Sequence, residues 1–126
     1  MRLLLDSHVV LWALGEFDAL GPTCRQRIVE ASEAHFSPVT PWELGIKRAK
    51  GRIEYPEGLV DELMKCGFKE LPITSTHANL APLLPPHHRD PFDRMLIAQA
   101  QAESLTLVTA DHQFVHYDVP TLDPRL

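Results

Sequence analysis

The sequence lacks any apolar run approaching the roughly 20 residues that a helix needs to cross a bilayer. Its N-terminal segment lacks a basic stretch followed by a long apolar run and a small-residue cleavage site, so no secretory signal is predicted. The two cysteines, Cys24 and Cys66, lie far apart and form no CxxC pair, which favours buried, reduced thiols over a disulfide or a metal site. These absences predict a soluble, cytoplasmic protein that does not span a membrane.

The sequence also has no excess of basic residues, since its net charge is −5. Phosphate backbones are bound chiefly by Lys and Arg, so this charge at first argues against a nucleic-acid substrate. Basic residues nevertheless gather in the segment 47–52, KRAKGR, and acids that hold divalent cations would be largely neutralised. The same basic segment equally suits a solvated helix end before Gly51. Net charge therefore leaves a nucleic-acid substrate open.

The order of predicted elements indicates the fold class. The 126 residues suit one domain, 1–126, and neither an internal repeat nor a linker divides them. Short apolar runs predict buried strands at 3–5 and 106–109, with weaker strands expected at 35–37, 68–73 and 119–122. Helical spacing and capping signals lie between them, at 9–14, 22–31, 40–51, 57–66, 76–84 and 91–103. Strands that alternate with helices predict an α/β fold whose mainly parallel sheet is flanked by helices.

Four acidic residues are predicted to meet at one edge of this sheet. Asp6 and Asp111 each directly follow an apolar strand, while Glu43 and Asp93 each lie in the first turn of a helix. Ligands of open parallel sheets bind outside the carboxyl ends of the strands. Without cations the four acids would repel one another and some of their pKa values would rise. A bound Mg²⁺ or Mn²⁺ best explains such a cluster, because all-oxygen sites suit hard cations.

Each of these acids could instead cap a helix. Glu43 has the capping-box spacing from Thr40, and Asp90 is well placed as the N-cap of the helix that carries Asp93. Asp93 in the first turn would favour the helix dipole, and the two acids that follow strands could cap the next element. Four unrelated caps would not all need to be acidic, and this favours the cluster.

Three residues beside the predicted cluster have open roles. The hydroxyl of Thr109 could orient an acid or a water molecule, although packing within the strand is its simpler role. Arg89 and Arg94 could contact phosphate, or could form only weak ion pairs at the surface.

Other chemistries find less support in the sequence. His112 and His116 have i, i+4 spacing and His87 and His88 lie beside Asp90, but no third zinc ligand is evident for either group. A receiver domain would need paired acids after the first strand and a Lys after the last one. A haloacid-dehalogenase-type phosphatase would need a second Asp where His8 stands.

Four segments of the sequence carry a resemblance to a known family: LLLDSHVVLWAL, SPVTPWELGIK, HHRDPFDRMLIAQA and LTLVTAD. On these motifs the chain resembles the PIN-domain nucleases and, among them, the VapC-type toxins of prokaryotic toxin–antitoxin pairs. The resemblance covers nearly the whole chain. By the family pattern, the acids of the four motifs are Asp6, Glu43, Asp93 and Asp111.

The resemblance implies a parallel sheet flanked by helices, divalent-metal-dependent cleavage of RNA, homodimerisation and inhibition by a cognate antitoxin encoded beside the toxin. Attack by metal-activated water would leave a 5′ phosphate and a 3′ hydroxyl. The alternative is a non-catalytic protein that keeps the fold but only binds RNA or a partner, and the full acidic set counts against it. Apolar residues of the fourth predicted helix are expected either to add a dimer surface or to face the core: Leu59, Val60, Leu63 and Met64.

Overall fold

A fully parallel sheet of five strands forms the centre of the computed structural model, which describes residues 1–126. The strands are β1 (Arg2–Leu5), β2 (Glu33–Phe36), β3 (Lys69–Glu70), β4 (Thr106–Val108) and β5 (Thr121–Leu122), in the spatial order β3-β2-β1-β4-β5. The helices are α1 (Ser7–Gly15), α2 (Pro22–Glu30), α3 (Val39–Ala49), α4 (Leu59–Lys65), α5 (Ser75–Leu80) and α6 (Pro91–Glu103). Short 3₁₀ turns cover Phe17–Ala19, Ala81–Leu83 and His112–His116. The predicted α/β fold with a parallel sheet is confirmed.

The apolar run of β1 is buried because this strand is central and both of its faces are covered. Leu4 pairs with His35 on one side and Leu107 on the other, and its side chain belongs to the core beneath α6. Leu3 and Leu5 belong to a second core on the other face of the sheet. Successive side chains of a strand point to opposite faces, so an unbroken apolar run is what a strand between two cores requires.

Several element boundaries differ from the sequence prediction, each for a local reason. The strand expected at 68–73 pairs only over β3, and after Leu71 donates its N–H to Phe36 the chain reaches Pro72, which has no N–H to donate. The helix expected at 76–84 is divided into α5 and a 3₁₀ turn, because Pro82 cannot donate to the helical ladder. Helix α4 begins at Leu59 rather than at 57, after Gly58 with φ of 82°.

The start of α3 corrects the predicted capping box. The helix begins at Val39 and its N-cap is Pro38, which makes no side-chain capping bond. Thr40 is already helical, and its hydroxyl lies 3.2 Å from that of Ser7 instead of capping the helix. Glu43 is therefore the fifth residue of α3, beyond the first turn, and its carboxylate is not used in a cap.

One expectation about surface and core was wrong in part, and one of two alternatives holds for two residues of α4. Cys24 is buried as predicted, but Cys66 is exposed at the end of α4. Leu59 and Leu63 are buried within the monomer's own core, so α4 offers only Met64, which is 52% exposed, to a partner. No helix has the length and apolarity that would be needed to cross a membrane.

Candidate active site

A pocket of about 380 Å³ lies outside the carboxyl edge of the sheet. Helices α1, α3 and α6 and the segment after β4 contribute to its lining: Asp6, Ser7, His8, Trp12, Glu43, Lys47, Asp90, Asp93, Ala110 and Asp111. The structure therefore brings the four predicted acids into one pocket. Their role as metal ligands remains a prediction.

Asp6 joins the central strand to α1 and is held from two sides. Its Oδ1 accepts a hydrogen bond of 3.0 Å from the backbone N–H of Val9, so the residue also caps α1. Burial raises the pKa of Asp6, and the hydroxyl of Thr109 together with the Val9 amide opposes that rise. Thr109 lies just after β4, and its Oγ1 also accepts from the backbone N–H of Asp111 at 3.1 Å. The hydroxyl of Thr109 thus bridges two of the four acids.

Glu43 is fixed by two neighbours, one of which sequence reasoning missed. The hydroxyl of Ser7 donates to Oε1 at 2.8 Å, and the ammonium of Lys47, one helical turn further along α3, lies 3.1 Å from Oε2. The only feature of the sequence that could have indicated a role for Ser7 in the site is its position directly after Asp6. Lys47 is the member of the basic segment that enters the pocket, whereas Arg48 pairs with Glu57 outside it.

Asp90 and Asp93 both line the pocket, and Asp90 also caps α6, as the sequence suggested. Oδ1 of Asp90 accepts from the backbone N–H groups of Phe92 at 2.8 Å and of Asp93 at 3.2 Å, which confirms Asp90 as the N-cap of α6. Burial raises the pKa of Asp93 to about 8, with further contributions from the charges of Asp90, Glu43, Asp6 and Asp111. The part of this rise that comes from the neighbouring charges is the mutual repulsion expected of clustered acids without a cation.

His88 is the main residue that the sequence analysis did not place in the site. Its Nε2 lies 2.9 Å from Oδ2 of Asp93 and 3.0 Å from Oδ2 of Asp111. The three side chains offer ligand atoms within 4.8 Å of one another, so the expectation that no third metal ligand lies near His87 and His88 was wrong. His112 and His116 lie in a 3₁₀ turn, where residues four apart do not share a face.

The two arginines beside the third motif have different roles. Arg94 donates to four backbone carbonyls, those of Ala81, Leu84, Pro85 and His88, at 2.7 to 3.0 Å. Its guanidinium therefore holds the loop that carries His88 and is not available to a phosphate. Arg89 is exposed and lines a separate apolar pocket with Trp42 and Phe92.

The donor set of the acidic pocket fits Mg²⁺ or Mn²⁺. The candidate ligands are carboxylate oxygens, which hard divalent cations prefer. The pKa of Asp93 is raised chiefly by burial and further by the neighbouring acids, and a cation in the pocket would offset both effects by stabilising the ionised carboxylate.

The fold and the site define the class of protein: a parallel α/β domain with an acidic pocket outside the carboxyl edge of its sheet. The sequence model of the PIN domain matches residues 3–120, so the chain belongs to the PIN domain family, whose members are nucleases. No curated protein matches the chain by sequence.

Solved structures with the same fold come from several bacteria. VapBC2 from Rickettsia felis, bound to a DNA fragment from its promoter, has a TM-score of 0.70 at 15% identity, with 97% of this chain and 98% of that chain covered. FitAcB from Neisseria gonorrhoeae has a TM-score of 0.67 at 19% identity, with 98% of both chains covered. VapBC-5 from Mycobacterium tuberculosis, a member of the VapBC family of toxin-antitoxin systems, has a TM-score of 0.59 at 18% identity, with 100% of both covered. At these identities the likeness concerns the fold.

Proposed function

We propose that the protein is a divalent-metal-dependent endoribonuclease that acts as the toxin of a toxin–antitoxin pair in the cytoplasm. The observation that carries this proposal is the convergence of four acids in one pocket, where the pKa of Asp93 is raised to about 8. Such a cluster costs stability unless a cation offsets it, so its retention favours a functional role.

The proposed ligands of Mg²⁺ or Mn²⁺ are Asp6, Glu43, Asp93 and Asp111. When bound, such an ion lowers the pKa of a water molecule and offsets negative charge on a phosphate. The chain's own residues prepare the pocket: Ser7 and Lys47 orient Glu43. Thr109 and the start of α1 orient Asp6. Ligands held by such contacts need little rearrangement to bind a cation.

Single-stranded RNA is the substrate class that the surroundings of the pocket favour. Half-buried Trp12 lines the acidic pocket and a neighbouring groove, so an unpaired base could stack on it while its phosphate lies at the acids. Lys47, one turn after Glu43 in α3, offers positive charge at the acids, and Lys50 at the C-cap adds a second positive charge at the end of the helix. Both are present despite the net charge of −5.

An antitoxin partner is inferred from the structural neighbours. Those structures include VapBC2 and FitAB, each bound to a DNA fragment, and a toxin-antitoxin complex from Klebsiella pneumoniae. This chain covers nearly all of each neighbour's chain. Its acidic pocket would be blocked most simply by a basic segment of the partner.

A homodimer is inferred from an apolar surface on α3 and α6, in place of the α4 surface expected from the sequence. Trp42 is 62% exposed and packs edge-on against Phe92, with ring centroids 4.8 Å apart. Both rings line an apolar cavity of about 500 Å³ together with Ile73 and Met95. Exposed aromatic surface of this kind is enriched at protein interfaces.

The test is cleavage of unstructured RNA by the purified chain with Mg²⁺ or Mn²⁺, with EDTA-treated protein as the control. Products are expected to carry 5′ phosphates and 3′ hydroxyls, and activity should return when Mn²⁺ is added back. Cleavage that persists in EDTA, or products with 2′,3′-cyclic phosphates, would contradict the proposed chemistry. RNA binding without any cleavage would favour the non-catalytic alternative.

A further inference from the structure

We propose that His88 is a positioning residue whose Nε2 lies between the carboxylates of Asp93 and Asp111, hydrogen-bonds Asp111 and contacts Oδ2 of Asp93, and so fixes the oxygen of Asp93 that faces the cation. This inference rests on the proposed function only in requiring that a divalent cation binds at the acids. It does not depend on the identity of the RNA or of the partner.

The position of His88 between two acids is the first observation. Its Nε2 lies 2.9 Å from Oδ2 of Asp93 and 3.0 Å from Oδ2 of Asp111. The residue is buried, with 8% of its surface exposed. A buried donor at hydrogen-bonding distance from two carboxylates offsets part of their mutual repulsion.

The other ring nitrogen of His88 indicates the tautomer. The backbone N–H of Asp90 points to Nδ1 at 3.3 Å, so Nδ1 is an acceptor and carries no proton. In a neutral imidazole the proton is then on Nε2, which donates to Oδ2 of Asp111 at 3.0 Å. An Nε2 that donates a hydrogen bond has no lone pair for a metal. The geometry therefore favours an orienting role for His88 over a zinc site built from His88, Asp93 and Asp111.

The ring and backbone of His88 are held in place from outside the pocket. Its backbone N–H donates to the hydroxyl of Tyr117 at 2.7 Å, and that hydroxyl donates to the carbonyl of Pro85 at 2.7 Å. Its carbonyl accepts from Arg94 at 2.9 Å, and its ring packs against Phe114 with centroids 5.4 Å apart. Contacts on every side keep Nε2 directed at the acids.

The two acids beside His88 differ in how many of their carboxylate oxygens accept hydrogen bonds. Asp111 has both oxygens engaged, Oδ1 by the backbone N–H of Gln113 at 2.9 Å and Oδ2 by His88. Asp93 accepts no hydrogen bond from the chain, and only its Oδ2 contacts His88, at 2.9 Å. This contact leaves Oδ1 of Asp93 free for the cation, while the carboxylate of Asp111, the other proposed ligand, is held in place by the imidazole.

Two substitutions separate this role from simple filling of space. His88→Gln places an amide N–H near the position of Nε2 and loses the contact at Nδ1. His88→Asn does the reverse, since its shorter side chain can still accept from the Asp90 N–H but cannot reach the acids. His87→Asn is the matched control, because exposed His87 has no hydrogen bond to the acids.

The measurement is the Mn²⁺ affinity of each full-length variant by calorimetry, together with the melting temperature without metal. His88→Asn should weaken Mn²⁺ binding by about 10- to 100-fold, as loss of an outer partner of a ligand does. His88→Gln should keep most of the affinity, and His87→Asn all of it. Without metal, His88→Asn should melt below His88→Gln, because the acids have lost their shared donor.

Other outcomes would overturn the inference. Equal Mn²⁺ affinity in His88→Asn and the wild type would show that the bridge does not orient the ligands. Tighter binding in His88→Asn would show that the imidazole competes with the cation. Equal losses in both variants would assign His88 a packing role. If the wild type binds no Mn²⁺, the proposed metal-dependent function fails, and the melting temperatures alone decide: Asn below Gln supports the bridge, and equality rejects it.

Discussion

Acidic side chains at the two ends of the sheet have opposite environments. At the amino end, Glu33 on β2 pairs with Arg2 on β1 and with Lys69 on β3, and the hydrogen bond from Arg2 lowers the pKa of Glu33. At the carboxyl end, burial and like charges raise the pKa of Asp93 to about 8, and Lys47 is the one Lys or Arg among the lining residues. At the amino end of the sheet the acid is thus compensated by basic partners, whereas at the carboxyl end the cluster of acids is left largely uncompensated. The carboxyl end is therefore where a cation is needed.

Asp93→Asn is expected to have the largest effect on activity of the substitutions at the two ends of the sheet. The substitution keeps the shape of the side chain and removes a charge that its neighbours repel. RNA cleavage should fall by more than the roughly 100-fold that loss of an outer-shell partner costs, because a direct ligand is lost. Stability without metal should stay equal or rise. RNA cleavage assays and thermal melts of the metal-free protein check both parts, and a variant that is active or clearly less stable would contradict the assignment.

The pH dependence of the metal-free protein should show that burial and the neighbouring acids disfavour the ionised form of Asp93. The pKa of Asp93 is about 8 in the folded chain and near 3.8 in the unfolded chain, so the folded state binds more protons between these values. The contribution of Asp93 to stability therefore falls as pH rises from about 4 to 8. Urea unfolding across this range should show the decline, and saturating Mn²⁺ or Asp93→Asn should flatten it. An unchanged slope in Asp93→Asn would assign the effect to another group.

The four acids were predictable because each is tied to a local signal. Asp6 and Asp111 follow buried apolar strands, and Asp93 follows the Asp90 cap at a helix start. The rule that carboxyl ends of parallel strands share one edge then brings them together. Glu43 was placed correctly for a partly wrong reason, since α3 begins earlier than its Thr-Pro signal suggests.

His88 could not be predicted because its position depends on contacts between distant segments. The loop that carries His88 is held by Arg94 of α6 and by Tyr117, which lies 29 residues after His88 in the sequence. Nothing within the HHRD segment shows which of two adjacent histidines points inward. The sequence also pointed to α4 instead of α3 for the dimer surface. Only the packing of α4 shows that Leu59 and Leu63 are buried in the monomer's own core.

Asp90→Ala should sharpen the contrast between a capping acid and a pocket acid. The side chain of Asp90 accepts two backbone hydrogen bonds at the start of α6, and their loss should cost about 0.5 to 2 kcal/mol of stability. Much of the cleavage activity should remain. Mn²⁺ should raise the melting temperature of this variant, as binding to the folded state alone requires, and should raise that of Asp93→Asn much less. The reverse pattern would exchange the two assignments.

Glu33→Gln at the amino end should have the smallest effect. Its side chain is 31% exposed, and its partners Arg2 and Lys69 are 44% and 60% exposed, so the pairs are screened by solvent. Loss of such solvent-exposed pairs should lower stability only slightly at neutral pH. Because the folded pKa of Glu33 is lowered, its contribution is present above its ordinary value of 4.5 and is lost as pH falls through the folded value. Urea unfolding should therefore separate Glu33→Gln from the wild type at pH 7 and bring them together in acid, with no change in Mn²⁺ affinity at pH 7. A weaker Mn²⁺ affinity in Glu33→Gln would mean that the two ends of the sheet are coupled and that the compensated cluster also supports the site.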